Sequence, residues 1–233
     1  MMQSKNLSES IADKIKQRII IGEYSINSRL PNEQELSESL NVSRTTIREA
    51  VKLLVSRHVL EIERGKGTFV AAIPGLSEDP FGLEFVPEDI LKEDLCAFRQ
   101  ILEPSVCRLA AENASPQQIN DMKQIVKKMA QISERVSKAA PDELVDIFID
   151  QEIAFHTLLY KMSHNIIFER MSDIIARSVI INSTAQNYRV SFNFAKYTEI
   201  HTDLYKAIAS GAASEAETRG FEHATTFAYF CNN

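Results

Sequence analysis

Cysteine, glycine and proline are scarce in this sequence. Its 233 residues include 3 Cys, 7 Gly and 7 Pro. An odd number of cysteines without framework spacing argues against a disulfide scaffold. Cys96 and Cys107 fall on one predicted helix, roughly 16 Å apart along its axis, too far for a disulfide. We therefore expect buried thiols that act as small apolar side chains. So little Gly and Pro also argues against a loop-rich or disordered chain.

Long apolar runs are missing as well. No segment approaches the roughly 18 apolar residues of a membrane span. The first residues, 1–7, are polar and lack the hydrophobic region of a signal peptide. These absences predict a cytoplasmic protein with no membrane partner.

Charge is distributed unevenly along the chain. The net charge is −6, but residues 1–72 carry 11 Lys and Arg against 9 Asp and Glu, while residues 73–233 carry 15 against 23. Two compositions in one chain indicate two functions. The basic excess at the N-terminus is too small to establish nucleic-acid binding by itself.

Three short helices are predicted near the N-terminus. Ser8 is a candidate N-cap for an apolar stripe that ends at Gly22. Asn32 and Glu35 form a variant of the capping box at the start of the second helix. Ser43 closes a tight turn and caps the third helix, at about residues 44–58.

The third helix has the pattern of a DNA recognition helix. Its predicted buried face consists of Ile47, Ala50, Val51 and Leu54. Its exposed face begins with Arg44, Thr45, Thr46 and Arg48. Arg binds guanine bidentately, with about 1–3 kcal/mol of discrimination, and Thr meets phosphates or thymine methyls.

A β-hairpin follows at once. Residues 59–63 alternate like a strand, 64–67 form a basic glycine-rich turn, and 68–70 return. A small helical domain with solvated arginines is the alternative. Recognition helix plus basic hairpin is the more specific combination, and it favours a winged helix-turn-helix.

These segments resemble a known family. The stretches RLPNEQEL at 29–36, LNVSRTTIREA at 40–50 and GKGTFV at 65–70 closely resemble the winged-helix domain of GntR-family regulators. The resemblance covers about residues 8–72. It implies that DNA is contacted by Arg44, Thr45, Thr46 and Arg48 of the recognition helix and by Gly65 and Lys66 of the wing. Many members have Arg where this chain has Gln34. Gln34 can still bond a base or a phosphate, but it lacks the charge, so operator preference does not carry over from relatives.

The rest of the chain is predicted to be helical. We predict a linker at 73–89, since Pro74, Gly75, Pro80 and Gly82 fall there without periodicity. After it, caps at Ser115 and Asn165 and the near absence of strand patterns predict an all-α antiparallel bundle at 90–233. The fold class is mainly α, with residues 1–72 as the winged domain.

Four residues in this part suggest a metal site. Glu152 and His156 lie at i and i+4 on one helix, and His201 and His223 lie on two later helices. Three His and one carboxylate suit Zn²⁺, with Ni²⁺ and Mn²⁺ as alternatives. On spacing alone, solvated Glu–His pairs and hydrogen-bonded core histidines are favoured over a metal site.

A second resemblance covers about residues 90–230. The order of motifs is similar to the FCD effector domain of the FadR subfamily: Arg99-x-x-Leu102-Glu103, Leu109-Ala110-Ala111, Phe155-His156, His164-Asn165, His201, Ala207-Ile208 and His223. Many such domains hold a metal with one Asp and three His. The resemblance assigns that role to Glu152, His156, His201 and His223, with Glu in place of Asp. It also implies that Arg99 pairs with the carboxylate of an organic-acid effector. An ion pair between Arg99 and Glu103 is the alternative.

The resulting hypothesis is a transcriptional regulator. A homodimer would bind a pseudo-palindromic double-stranded DNA operator, with repression the commoner outcome in the resembling family, and a small organic acid at the metal site would control it. Three alternatives stay open: a regulator with the metal ion as signal, a metal-free cavity for an apolar acyl ligand, and a metal-dependent hydrolase. The hydrolase would leave the winged helix unexplained, so no enzymatic activity is predicted.

Overall fold

The chain folds into two compact units, Met1–Phe85 and Val86–Asn233. The computed structural model describes residues 6–77, 79–136, 142–183 and 193–231. Each unit is described by itself. The mainly helical fold class predicted from the sequence, with one β-hairpin, is confirmed.

The described part of the first unit contains three helices and a hairpin. They are α1 (Leu7–Ile20), α2 (Glu33–Leu40), α3 (Arg44–Ser56), β1 (Leu60–Glu63) and β2 (Gly67–Val70). The strands are antiparallel, with Leu60 opposite Val70 and Glu63 opposite Gly67. The predicted inner face of α3 is buried, as are Ile11 and Ile15 of α1, so the three helices share one apolar core.

Helix caps set the limits of these helices. The Asn32 side chain accepts from the backbone N–H of Glu35 at 3.0 Å, and the Glu35 carboxylate accepts from the N–H of Asn32 at 2.7 Å, which confirms the predicted capping box. Ser43 Oγ accepts from the Thr46 N–H at 3.1 Å, again as predicted.

The predicted cap of α1 is wrong. The N-cap is Asn6, whose backbone N–H donates to Glu9 at 3.1 Å, and Ser8 lies inside the first turn. Asn6 and Ser8 are both residue types that cap helices, and they lie two positions apart. Only Asn6 has a glutamate three residues later, so its register completes the capping box.

In its described residues, the second unit contains six helices. They are α4 (Glu88–Asn113), α5 (Pro116–Val136), α6 (Asp142–Met162), α7 (Ile166–Ser183), α8 (Phe194–Ala209) and α9 (Ala213–Cys231), and a 3-10 turn, Leu83–Phe85, precedes them. The predicted caps at Ser115 and Asn165 are confirmed by bonds to the N–H groups of Gln118 and Ile167. The sequence also predicts a helix start at Pro141, and that residue lies outside the described ones.

Helices α4 and α9 approach each other closely. Gly220 of α9 faces Cys107 and Pro104 of α4, and a Cβ at Gly220 would lie 2.7 Å from Cys107 Sγ and 3.1 Å from Pro104 Cα. Cys96 and Cys107 are buried thiols outside any disulfide, as predicted. Of the helices in the described ranges, none is both long and apolar enough to cross a membrane.

Candidate functional site

The start of α3 presents free polar side chains. Arg44 and Thr45 are exposed in its first turn. Arg44 has no hydrogen bond or ion pair with any residue in the described part of the chain. The backbone N–H groups of this turn carry the positive end of the helix dipole, a favourable place for a phosphate. Arg44 is thus free to reach a base or a phosphate.

Other predicted DNA contacts have intramolecular partners. Arg48 donates to both carboxylate oxygens of Glu33, at 3.1 and 2.7 Å. This hydrogen-bonded guanidinium lowers the pKa of Glu33. Gln34 donates to Glu38 at 2.6 Å, and the Thr46 hydroxyl lies 2.8 Å from that of Ser43. Contact with DNA would have to compete with these bonds.

The wing has a glycine turn with one free charge. Lys66 pairs with Glu63 at 2.8 Å beside Gly65. Arg64 is exposed and has no partner among the residues that the structure describes, although it was not among the predicted contacts. Gly67 has φ of 127°, and a Cβ there would lie 2.7 Å from Arg29 Nε. Only glycine permits both that backbone and that close approach.

The second unit contains a buried cluster of charged and polar side chains. It consists of Arg99 and Glu103 of α4, Glu152 and His156 of α6, His201 of α8 and His223 of α9, each at most 1% exposed. The structure therefore brings together all four predicted metal ligands and the predicted effector residue. Fully buried charges require close partners, because an isolated buried charge is very costly.

The three histidines converge. Their ligand atoms lie within 4.8 Å of one another. Nε2 of His223 is 3.0 Å from Nε2 of His201, and Oε1 of Glu152 is 3.2 Å from the same His201 atom. Glu152 is not a member of the mutually close group of three, and it approaches that group through His201.

Hydrogen bonds at the other ring nitrogens fix two tautomers. Nδ1 of His201 lies 2.8 Å from the carbonyl oxygen of Tyr197, and Nδ1 of His223 lies 2.8 Å from Oε2 of Glu103. Both oxygens only accept, so each Nδ1 carries the proton. Burial lowers the pKa of His223, which keeps that ring neutral. Since Nδ1 is the hydrogen-bonded donor in each ring, the two Nε2 atoms are left facing each other, and only a proton or a cation between them makes this favourable.

Glu152 also favours a cation. Both of its carboxylate oxygens are buried and have no hydrogen-bond partner among the described residues. A buried carboxylate without donors is unfavourable unless a cation is close. Three imidazole nitrogens and one carboxylate fit Zn²⁺, and Ni²⁺ or Mn²⁺ less selectively.

His156 faces Arg99. Arg99 Nη2 donates to Nε2 of His156 at 3.2 Å. Burial lowers the pKa of His156 well below its usual value, and the charge of Arg99 lowers it further. His156 is therefore neutral, as a metal ligand must be. To bind a metal ion through Nε2, His156 would have to give up the hydrogen bond that it accepts from Arg99.

Glu103 is a central residue of the cluster, and the sequence pattern indicated it only as a partner for Arg99. Its Oε1 accepts from Arg99 Nε at 2.6 Å, which confirms the ion-pair alternative. Burial alone would raise the pKa of Glu103, but Arg99, His223 and His156 reverse this effect and hold it well below the usual value. The i, i+4 spacing of Arg99 and Glu103 signalled the pair but not the contact with His223.

Tyr160 was missed altogether. Its hydroxyl is buried without a hydrogen-bond partner among the described residues, and burial raises its pKa. It lies one turn after His156 on α6, so helical spacing from a predicted ligand was the available signal.

Each of the two parts of the chain matches a known protein family. Residues 7–70 match the family model of bacterial regulatory proteins of the gntR family. Residues 94–226 match the FCD domain model.

Individual relatives are regulators. The chain is 28% identical over 195 residues to the Uxu operon regulator of Haemophilus influenzae, covering 83% of this chain but only 64% of that protein. It is 26% identical over 176 residues to the galactonate operon transcriptional repressor of Escherichia coli, with 73% of each chain covered. A solved structure of Streptococcus agalactiae GntR is similar with a TM-score of 0.79 and 28% identity, covering 95% of this chain and 99% of that one.

Proposed function

The chain belongs to the gntR family of bacterial regulatory proteins, with an FCD domain as its second part, and from this premise we propose a repressor controlled by a small carboxylate bound beside a divalent metal ion. The protein is a DNA-binding transcriptional regulator and not an enzyme. Bacterial DNA lies in the cytoplasm, and we expect the regulator there.

We propose that two chains form a homodimer on a pseudo-palindromic operator. Each α3 would enter the major groove of one half-site, and each wing would follow the backbone beside it. The observation that supports this reading is the free Arg44 in the first turn of α3. Arg48, Thr46, Gln34 and Lys66 would contact DNA after exchanging their intramolecular partners, and Thr45 and Gly65 would contact it directly.

Operator binding tests this assignment. A DNA fragment obtained by selection from a random library serves as the probe, and affinity is measured by fluorescence anisotropy. Arg44→Ala should abolish selective binding and leave the elution volume of the protein unchanged. Arg57→Ala removes the same charge just after α3 and serves as the control. Unchanged selectivity in Arg44→Ala would refute the recognition-helix assignment.

For the second unit, we propose that Glu152, His156, His201 and His223 hold the metal. The single observation behind this proposal is the pair of Nε2 atoms 3.0 Å apart, each on a ring whose Nδ1 is hydrogen-bonded elsewhere. Zinc is the first candidate because imidazole nitrogens and a carboxylate oxygen are ligands that it accepts. When bound, such an ion would supply a fixed positive charge and could take an effector oxygen as a further ligand.

Metal content tests the site. The protein is purified without chelator or nickel resin and analysed for metals, with His156→Ala alongside. We expect close to one metal per chain, lost in the variant. His164→Asn is the matched control, because His164 is exposed and asparagine tolerates its positive φ of 52°. Absence of metal even after incubation with zinc would reject the four-residue site.

The effector class follows from Arg99. A guanidinium binds a carboxylate bidentately, and Arg99 already holds the carboxylate of Glu103. An effector carboxylate would take the place of Glu103. One relative is named for a galactonate operon, and galactonate is a carboxylate with several hydroxyls. We therefore propose a small hydroxy acid, with a coupling to DNA binding of about 1–3 kcal/mol.

A metal-responsive regulator is the second candidate. The six side chains of the cluster are at most 1% exposed, which suits an ion better than a larger molecule. The two candidates differ in one measurement. If zinc alone changes operator affinity, the ion is the signal. If zinc changes it only when galactonate is added, the acid is the signal.

A further inference from the structure

Glu103 uses its two oxygens for two different partners. Oε1 accepts from Arg99 Nε at 2.6 Å, and Oε2 accepts from Nδ1 of His223 at 2.8 Å. The side chain is fully buried, so water offers it no alternative. One carboxylate thus joins the arginine expected to bind the effector to a histidine expected to bind the metal.

We propose that Glu103 is a positioning residue that couples the metal site to Arg99. This role of Glu103 rests on the proposed metal site. Its first measurement, however, is made on the metal-free protein.

The bond from His223 to Glu103 decides which ring nitrogen of His223 carries the proton. His201 donates Nδ1–H to the carbonyl of Tyr197, so its Nε2 is an acceptor. If His223 carried its proton on Nε2, it would donate to His201 across the 3.0 Å gap and close the site against a cation. The bond to Glu103 keeps that proton on Nδ1. Such carboxylate–histidine pairs orient metal ligands and raise their basicity.

Arg99 shares Glu103 with His223. The negative charge of Glu103 is divided between the guanidinium and the imidazole, since its two oxygens accept from Arg99 Nε at 2.6 Å and from His223 Nδ1 at 2.8 Å. A cation at Nε2 of His223 makes its Nδ1–H a stronger donor and draws Glu103 toward His223. The bond from Arg99 to Glu103 then weakens, which prepares Arg99 for the carboxylate of an effector.

The same helix offers a matched control pair. Arg108 and Glu112 repeat the i, i+4 arrangement of Arg99 and Glu103 on α4, at 2.9 Å, but with side chains about two-fifths exposed. Glu112→Gln therefore removes the same charge from the same helix without touching a histidine.

Nitrogen NMR with ¹⁵N-labelled histidine gives the first readout, on metal-free full-length protein. We expect neutral His223 as the Nδ1–H tautomer in the parent and in Glu112→Gln. In Glu103→Gln, the amide NH₂ can donate to Nδ1, so the proton should move to Nε2. Loss of packing alone would not produce this specific change.

Zinc itself is the second probe. By competition with a chelator, Glu103→Gln should bind zinc roughly 10–100-fold more weakly than the parent, and Glu112→Gln within about twofold. The Arg99 Nε–H resonance should shift on zinc addition in the parent and not in Glu103→Gln.

The outcomes separate the two proposals. If the parent binds no zinc, the proposed metal site fails, while the tautomer still reports on Glu103. If Glu103→Gln keeps the Nδ1–H tautomer and the parent zinc affinity, the role of Glu103 is wrong. An unaltered Arg99 resonance in the zinc-loaded parent would overturn the coupling. Should Glu103→Gln fail to fold, the double variant Arg99→Met with Glu103→Gln removes both buried charges together and must show the same tautomer change.

Discussion

At the scale of single residues, what the buried cluster can bind depends on which polar atoms lack a bond. The Nδ1 protons of His201 and His223 are hydrogen-bonded to Tyr197 and Glu103. The buried oxygens of Glu152 and Tyr160 have no hydrogen-bond partner among the described residues. Each such group lowers the stability of the chain until a ligand, an ion or a water molecule meets it.

Tyr160 gives a direct test of this cost. Tyr160→Phe removes a buried hydroxyl that has no hydrogen-bond partner in the described part of the chain. We expect the free energy of unfolding of the metal-free protein to rise by about 1 kcal/mol, because an unsatisfied buried hydroxyl costs about 1–3 kcal/mol. Urea denaturation measures the change. A fall in stability would mean that the hydroxyl makes a bond through ordered water.

Arg48 gives a second prediction at this scale. Glu33→Gln should release Arg48 from its bidentate ion pair. We expect tighter binding to random-sequence DNA and a salt dependence steeper by up to about one ion. Binding is measured against potassium chloride concentration. Glu49→Gln, which removes an exposed charge paired with Lys52 on α3, is the control. Equal gains in both variants would show that net charge alone is responsible.

Residue spacing and the family resemblance predicted the four proposed metal ligands. They did not predict the residues that hydrogen-bond to those ligands. Glu152 and His156 could be placed on one helical face because a single helix carries both. Glu103 and His223 lie 120 positions apart, and no local rule connects them. Tyr197 acts through a backbone carbonyl, which any residue type supplies, so its role has no signature in the sequence.

At the scale of elements, the helix starts could be predicted where one local signal dominates. Asn32 and Ser43 are examples, because a cap and the N–H groups it accepts from lie within three residues. At the start of α1, both Asn6 and Ser8 are residue types that cap helices, and the bond from the Asn6 N–H to Glu9 favours Asn6. Helix limits are thus predictable from the sequence, whereas the closeness of α4 to α9 depends on residues more than 100 positions apart.

The contact between α4 and α9 supplies the prediction at this scale. Gly220→Ala in an open helix would raise stability by up to about 1 kcal/mol. Here the added Cβ would lie 2.7 Å from Cys107 Sγ, so we expect a loss of about 1–3 kcal/mol by overpacking. Thermal and urea unfolding measure it.

The control is a second substitution, at Cys107, that makes room for the added methyl group. Cys107→Ala removes the sulfur atom that the new methyl group meets. The double variant should therefore lose less stability than the sum of the two single variants. A stabilising effect of Gly220→Ala alone would show that α4 and α9 separate without cost.

At the scale of the whole molecule, the chain joins a DNA-reading unit to a ligand-binding unit of different composition. The split in charge near residue 72 indicated two functions, though not which ones, from the sequence alone. Regulation requires that occupancy of the buried cluster change the affinity of α3 for DNA. Zinc connects α6, α8 and α9 through its proposed ligands, so its effect on each unit can be followed separately.

Hydrogen exchange with mass spectrometry follows both units at once. An ion that binds only the folded state at 100 times its dissociation constant adds about 2.7 kcal/mol of stability. We expect zinc to slow exchange in α6, α8 and α9 of the parent and not of His156→Ala, and no protection there would contradict the proposed site. The behaviour of α1–α3 decides between the two signals. If zinc also slows their exchange, the ion alone reaches the DNA-reading unit, as a metal-responsive regulator requires. If α1–α3 respond only when a hydroxy acid is added with zinc, the ion prepares the site and the acid carries the signal.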